Sequence, residues 1–191
     1  MQPTQLILAN INKRIRLEIE EEQYFLSLLE TFQISKKAYL LKQANWCNKI
    51  FFVNQGLLRS YSIGQAGKEA TVMFAFQDWW ITDMYAFVKR TPALTNIQAI
   101  EQSEGFYLSK KSLEQLYIEI PKFEKFFRIL MQNAYIREQY RVWENISLTA
   151  EERYISFLKK YPQIEQKAPQ KYIASYLGIT PEFLSAMKKR R

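Results

Sequence analysis

The sequence predicts an α+β protein in three parts: a helix-flanked β domain over residues 1–120, a long connecting helix over 121–147, and a small basic helical domain over 148–191. Three observations lead there. Short-period alternation fills the middle of the chain, while helical periodicity fills its start and the stretch after Pro121. Positive charge collects at the C-terminal end: the last 44 residues hold nine Lys or Arg against four Glu, a net of +5 out of the total of +8. A basic balance of this kind favours an anionic partner.

The elements follow in order. Residues 4 to 31 read as one or two helices, with acids leading the run EEEQYFLSLLETF and Tyr24, Phe25, Leu28, Leu29 and Phe32 along one side. From about Ala38 to Leu108 the alternation of LLRSYSI (57–63) and EATVMFAF (69–76) reads as short strands, with Ala70, Val72, Phe74 and Phe76 facing one way. Gly64 to Gly67 between them is a hairpin signal, and Gly56, Gly64, Gly67 and Gly105 all fall in this region, where turns call for positive φ.

Pro121 opens the long helix, as suits a proline in the first turn. Along it Phe126, Ile129, Asn133, Ile136, Tyr140 and Trp143 recur at heptad spacing, and Phe123, Phe127, Leu130 and Ala134 form a second stripe about 120° round the axis. One stripe is expected on the β domain and the first on a second copy of the chain, with Asn133 as a register device; the alternative is that both are intramolecular core. Thr149 to Glu152 is a capping box that starts another helix, which Pro162 ends.

The closing stretch QKYIASYLGITPEFLSAMKKRR is a helical hairpin. Ile173, Ala174 and Leu177 mark its first helix and Gly178 the left-handed turn; Thr180 caps the second helix, Pro181 opens it, and Leu184 and Met187 anchor it. Small residue, turn glycine and buried aliphatic at these offsets describe a helix-turn-helix. Its second helix is expected to enter the DNA major groove with Glu182, Ser185, Ala186 and Lys189 outward and Phe183 near the start, while Lys171, Thr180, Lys188, Arg190 and Arg191 hold phosphates. An ordinary hairpin with a solvated basic tail is the plainer alternative.

Other classes find little support. There is no histidine, and Cys47 is the single cysteine, which removes the commonest general base, disulfide frameworks and cysteine-ligated clusters. No phosphate loop, metal-ligand cluster or nucleophile motif is present, so no enzyme and no metal site is expected. No stretch suits a membrane span or a leader peptide, and a cytoplasmic protein is expected.

Through FFVNQGLLRSY (51–61), GKEATVMF (67–74) and IASYLGITPEFLS (173–185), the chain resembles the Crp/Fnr family of transcription regulators over nearly its whole length. The resemblance implies a cyclic-nucleotide-binding-like β-roll with flanking helices, a long dimerisation helix and a C-terminal helix-turn-helix domain. It also implies a homodimer on a palindromic operator in double-stranded DNA, with RNA polymerase as a further partner. Where nucleotide-binding members carry Gly-Glu and an Arg-Ser/Thr-Ala triplet, this chain has Thr82-Asp83 and Ala93-Leu94-Thr95; Arg90 falls three residues early and Pro92 stiffens the approach. A phosphate without its arginine is poorly held, so no response to cyclic AMP is expected, and any other effector is left open. The implied effector pocket comprises Trp79, Trp80, Thr82, Asp83 and Arg90. Together with Tyr85 and Phe87, the aromatics line an apolar site or fill a ligand-free roll. Iron–sulfur and haem sensing of the usual ligation are not expected. Ala186 stands where relatives often present an arginine to guanine, and no strand pair for a wing follows the second helix. A sensor whose helical tail binds a protein partner is the competing reading.

Overall fold

The computed structural model describes residues Thr4 to Arg190. Two helices, α1 (Gln5–Asn12) and α2 (Ile19–Ser27), precede the strands β1 (Glu30–Ile34), β2 (Tyr39–Leu41), β3 (Lys49–Gln55), β4 (Leu58–Ile63), β5 (Glu69–Ala75), β6 (Trp80–Ile81), β7 (Asn96–Ala99) and β8 (Ser103–Ser109). Helix α3 (Met84–Lys89) lies between β6 and β7. Helices α4 (Lys110–Glu119), α5 (Lys122–Ser147), α6 (Ala150–Lys160), α7 (Ile164–Lys167), α8 (Gln170–Leu177) and α9 (Pro181–Lys189) complete the chain.

The strands form two four-stranded antiparallel sheets, ordered β1-β8-β3-β6 and β2-β7-β4-β5, around one apolar core. The hairpin read at Gly64 to Gly67 joins β4 to β5, with Gly67 at φ +72°. Gly105 has a different reason to be glycine. A Cβ there would stand 2.0 Å from the Phe52 carbonyl oxygen, so β8 and β3 approach more closely than any side chain allows. A bulge in the β4–β5 ladder breaks the expected alternation in β5, burying Thr71 beside Phe74 and Ala75 while Ala70 is exposed.

Several boundaries differ from the sequence reading. The first strand starts at Glu30, so Phe32 is a strand residue packed edge-on against Phe51, and Leu28 caps α2. Residues 110–119, not read as a helix, form α4, capped by Ser109 and buried through Leu113 and Leu116. The stretch after Pro162 holds the short α7, whose Ile164 is buried.

The start of the long helix enters the roll core. Phe123, Phe126 and Phe127 are buried, with Phe126 and Phe127 packed on Trp80 and Phe123 stacked on Phe25 at 5.0 Å. A second core brings the C-terminal helices onto the roll: Leu57, Phe74 and Ile100 pack with Phe157, Tyr161, Ile164, Ile173 and Tyr176. Phe74 touches three of these rings, Phe157, Tyr161 and Tyr176, within 6.0 Å. Clustered aromatic side chains of this size dominate the energetics of an interface.

Candidate nucleic-acid interface and sensor cavity

The closing hairpin is built by its own residues. Helix α8 ends at Gly178, which takes φ +71°, a conformation that disfavours a Cβ, and Ile179 N–H then bonds back to the Ala174 carbonyl. Thr180 Oγ1 accepts from Phe183 N at 3.1 Å, and Pro181 holds the first position of α9. Leu184 and Met187 are buried.

The opposite side of α9 is open. Glu182, Phe183, Ala186 and Lys189 are exposed and Ser185 is half-buried, so these five share one accessible side of the helix. Thr180 and Lys171 are exposed at its edge, and Arg190 is exposed at its C-terminal end. Lys188 is not a free cation: it pairs with Glu165 of α7. Arg191 lies outside the described residues.

What fastens this hairpin to the roll could not be read from periodicity. Strand β5 is the edge of its sheet, and its outer backbone groups are capped by side chains from elsewhere. Arg141 of α5 donates to the Val72 and Thr71 carbonyls at 2.6 and 3.0 Å and to the Tyr176 carbonyl at 3.3 Å. Ser175 of α8 accepts from Thr71 N and donates to the Glu69 carbonyl. Beside them Arg59 of β4 is fully buried, donating to Glu69 at 2.7 Å and to Thr71 at 2.9 Å. Its guanidinium lies between the rings of Tyr61 and Tyr172, 4.2 and 3.8 Å from their centroids, so one cation joins the roll to α8. An arginine inside the apolar run LLRSYSI was the available signal. Burial, then the Tyr176 phenol, pushes the Tyr161 hydroxyl well above the ordinary tyrosine range. Burial also raises Tyr61, with further contributions from Tyr39 and Glu69.

A cavity of about 260 Å³ lies between the roll and the long helix, lined mainly by Ile50, Trp80, Ile81, Met84, Leu130 and Met131. Of the five residues expected to form an effector pocket, Trp80, Thr82 and Asp83 line it. The other two do not. Trp79 packs instead on Tyr161 and under the Arg137 guanidinium, and Arg90 is exposed at the left-handed end of α3, 3.5 Å from Glu114. Of the neighbouring aromatics, Tyr85 is exposed and Phe87 is buried, outside the cavity lining.

The seam read along the long helix divides. Phe126 is core and unavailable to a partner; at 60° from the line of Ile129 it sits on the side that the roll covers. Ile129 is half-buried, whereas Asn133, Ile136, Tyr140 and Trp143 are exposed. Tyr135, Val142 and Ile146 widen that face, and Tyr140 and Trp143 lie with ring centroids 5.3 Å apart.

The architecture is thus a two-sheet roll, a long helix leading out of its core and a compact helical unit docked on its edge. Residues 31–119 match the model of the cyclic nucleotide-binding domain family. No curated protein sequence matches the chain. Among solved structures the chain is similar to the c-di-GMP-responsive global regulator CLP of Xanthomonas campestris, with a TM-score of 0.74 and 11% identity over 91% of each chain. A CooA variant from Carboxydothermus hydrogenoformans superposes with a TM-score of 0.70 at 18% identity, over 96% of this chain and 83% of that one. A protein of Eubacterium rectale described as a Crp/Fnr-family transcriptional regulator gives 0.69 at 16% identity, over 91% of this chain and 83% of that one. The chain therefore has the fold of the Crp/Fnr regulators.

Proposed function

We propose that the protein is a transcription regulator of the Crp/Fnr type that binds double-stranded DNA as a homodimer through the closing helix-turn-helix and does not respond to cyclic AMP. The observation that carries this reading is the disposition of α9: its apolar side is buried on α8, and its other side offers Glu182, Phe183, Ser185 and Ala186 with Lys171, Lys189 and Arg190 around them. Groups of these types read base edges and phosphates respectively: a carboxylate accepts from cytosine, a phenyl ring contacts the thymine methyl, and cations neutralise the backbone. Regulators of similar fold from X. campestris and E. rectale support a regulatory role.

The exposed face of α5 from Asn133 to Trp143 supports pairing with a second copy, because a run of Ile136, Tyr140 and Trp143 at heptad spacing suits a two-helix seam. Two copies would place two reading helices on half-sites one helical turn apart. The cassette supports the absence of a nucleotide response: Arg90 points away from the cavity to Glu114. RNA polymerase is the partner that such a regulator would act on.

The test is fluorescence anisotropy of a labelled random duplex, titrated at low and moderate salt with and without cyclic AMP. Affinity that falls steeply with salt and ignores cyclic AMP is the expected result. No binding at low salt would transfer the helical unit to a protein partner, and binding only with cyclic AMP would overturn the reading of the cassette.

A further inference from the structure

The loop that joins α3 to β7 is closed around an anion that belongs to the chain itself. Asp83 is only 6% exposed. Its Oδ1 accepts from Ala86 N at 3.1 Å. Its Oδ2 accepts from Leu94 N at 2.8 Å, from Thr95 N at 2.9 Å and from Thr95 Oγ1 at 3.0 Å. Successive backbone N–H groups converging on one oxygen form a nest, the arrangement that proteins use to bind anions. Here the nest is filled, and both oxygens of the carboxylate are engaged.

Asp83 also lines the cavity between roll and long helix. The other charged groups at that lining are Glu138 and Arg137, so its ionised side chains amount to two acids and one base. An incoming phosphate or carboxylate would have to expel Asp83 from its donors, which strands a buried charge, or else sit beside it. Like charges brought side by side in a partly buried site repel strongly. An uncharged ligand meets no such opposition, and Ile50, Trp80, Ile81, Met84, Leu130 and Met131 offer it an apolar wall. The volume of about 260 Å³ lies just below the range of small-molecule sites, which begins at about 300 Å³, and so suits a small molecule.

We infer that this cavity takes a small uncharged apolar molecule and that Asp83, seated in the nest, is the residue that excludes anionic ligands. The inference rests on the reading of the roll as a sensor and is independent of DNA recognition, so it is tested without DNA.

The full chain is titrated with the uncharged dye N-phenyl-1-naphthylamine, following dye fluorescence and quenching of tryptophan, with cyclic AMP and inorganic phosphate as competitors. Saturable binding that neither anion displaces is expected. Ala134→Trp, which fills the cavity from the helix side, is expected to abolish binding while circular dichroism shows the fold retained. Asp83→Ala is expected to keep the dye and to gain affinity for the anions by at least about tenfold, since the nest then stands open. Absence of dye binding to the unaltered chain, dye binding undiminished in folded Ala134→Trp, or displacement by cyclic AMP from the unaltered chain would each overturn the inference. If Asp83→Ala does not fold, the competition on the unaltered chain and the Ala134→Trp titration decide it. Failure here with salt-sensitive DNA binding intact would remove only the ligand class, not the proposed regulator.

Discussion

Replacing Lys189 with glutamine tests whether the closing hairpin holds DNA phosphates, and the structure sets the size of the effect. Lys171, Lys189 and Arg190 are exposed around α9, whereas Lys188 is paired with Glu165 and would have to give up that partner to reach DNA. Three available cations per copy among the described residues make about six neutralised phosphates in a dimer, and each contributes about 0.9 to the logarithmic salt slope, which predicts a slope of about −5. Raising salt from about 50 mM to about 200 mM should then weaken binding about a thousandfold. Lys189→Gln removes one contact from each copy and should bring the slope to between about −3 and −4, with the same loss on every sequence. The assay is anisotropy of a labelled duplex at four salt concentrations, repeated with a second, unrelated duplex. A slope unchanged by Lys189→Gln, or a loss confined to one of the two duplexes, would refute the assignment of Lys189 to the DNA backbone. Lys188→Gln is the internal comparison and should change the slope less.

Three other outcomes are expected. Glu69→Gln should destabilise the fold by on the order of 3 kcal/mol in urea titrations, because it leaves Arg59 buried without its counter-charge, whereas Arg59→Met should cost less because Glu69 is 42% exposed and stays hydrated; equal losses would contradict this asymmetry. Ile136→Glu should shift the chain toward monomer in sedimentation equilibrium without altering its melting, while Phe126→Ala should cost about 3–5 kcal/mol of stability, since Phe126 is core. Alkali should unfold the protein: the buried Tyr161 hydroxyl keeps its proton more tightly folded than unfolded, so stability holds below the unfolded value of about 10 and falls as pH rises beyond it, by up to about 1.4 kcal/mol per pH unit for this group. Tyr117, raised to about 12 by burial, adds in the same direction. Tyr161→Phe should make that alkaline decline shallower, as followed by tyrosinate absorbance.

The parts legible in the sequence are those whose chemistry is local. Gly178, Thr180 and Pro181 specify a left-handed stop, a cap and a first turn within four residues, and that hairpin stands where it was read. The Thr149 capping box and the Gly64–Gly67 turn are equally self-contained. Phe126 was misplaced because spacing alone does not say how far along a helix a neighbouring layer extends; the roll covers the first turns of α5 and leaves the later ones open. Arg90 was placed near a pocket by its distance along the chain, yet the left-handed end of α3 turns it outward. Arg59, Arg141 and Ser175 escaped because each joins strands to helices many residues away, where no periodicity carries a signal.

The polar part of the attachment at β5 goes through main-chain atoms: Arg141 and Ser175 grip carbonyls and an amide, not side chains. Substitutions along that strand can therefore accumulate without loosening these hydrogen bonds, provided that the outward path of the backbone is kept and that Phe74 and Glu69, whose side chains hold the aromatic core and Arg59, are spared. Detachment has a different cost. It would bare a sheet border with hydrogen-bonding groups free to recruit a foreign strand, so any working cycle that lifts the helical unit must be brief, or must bring it down on something else at once.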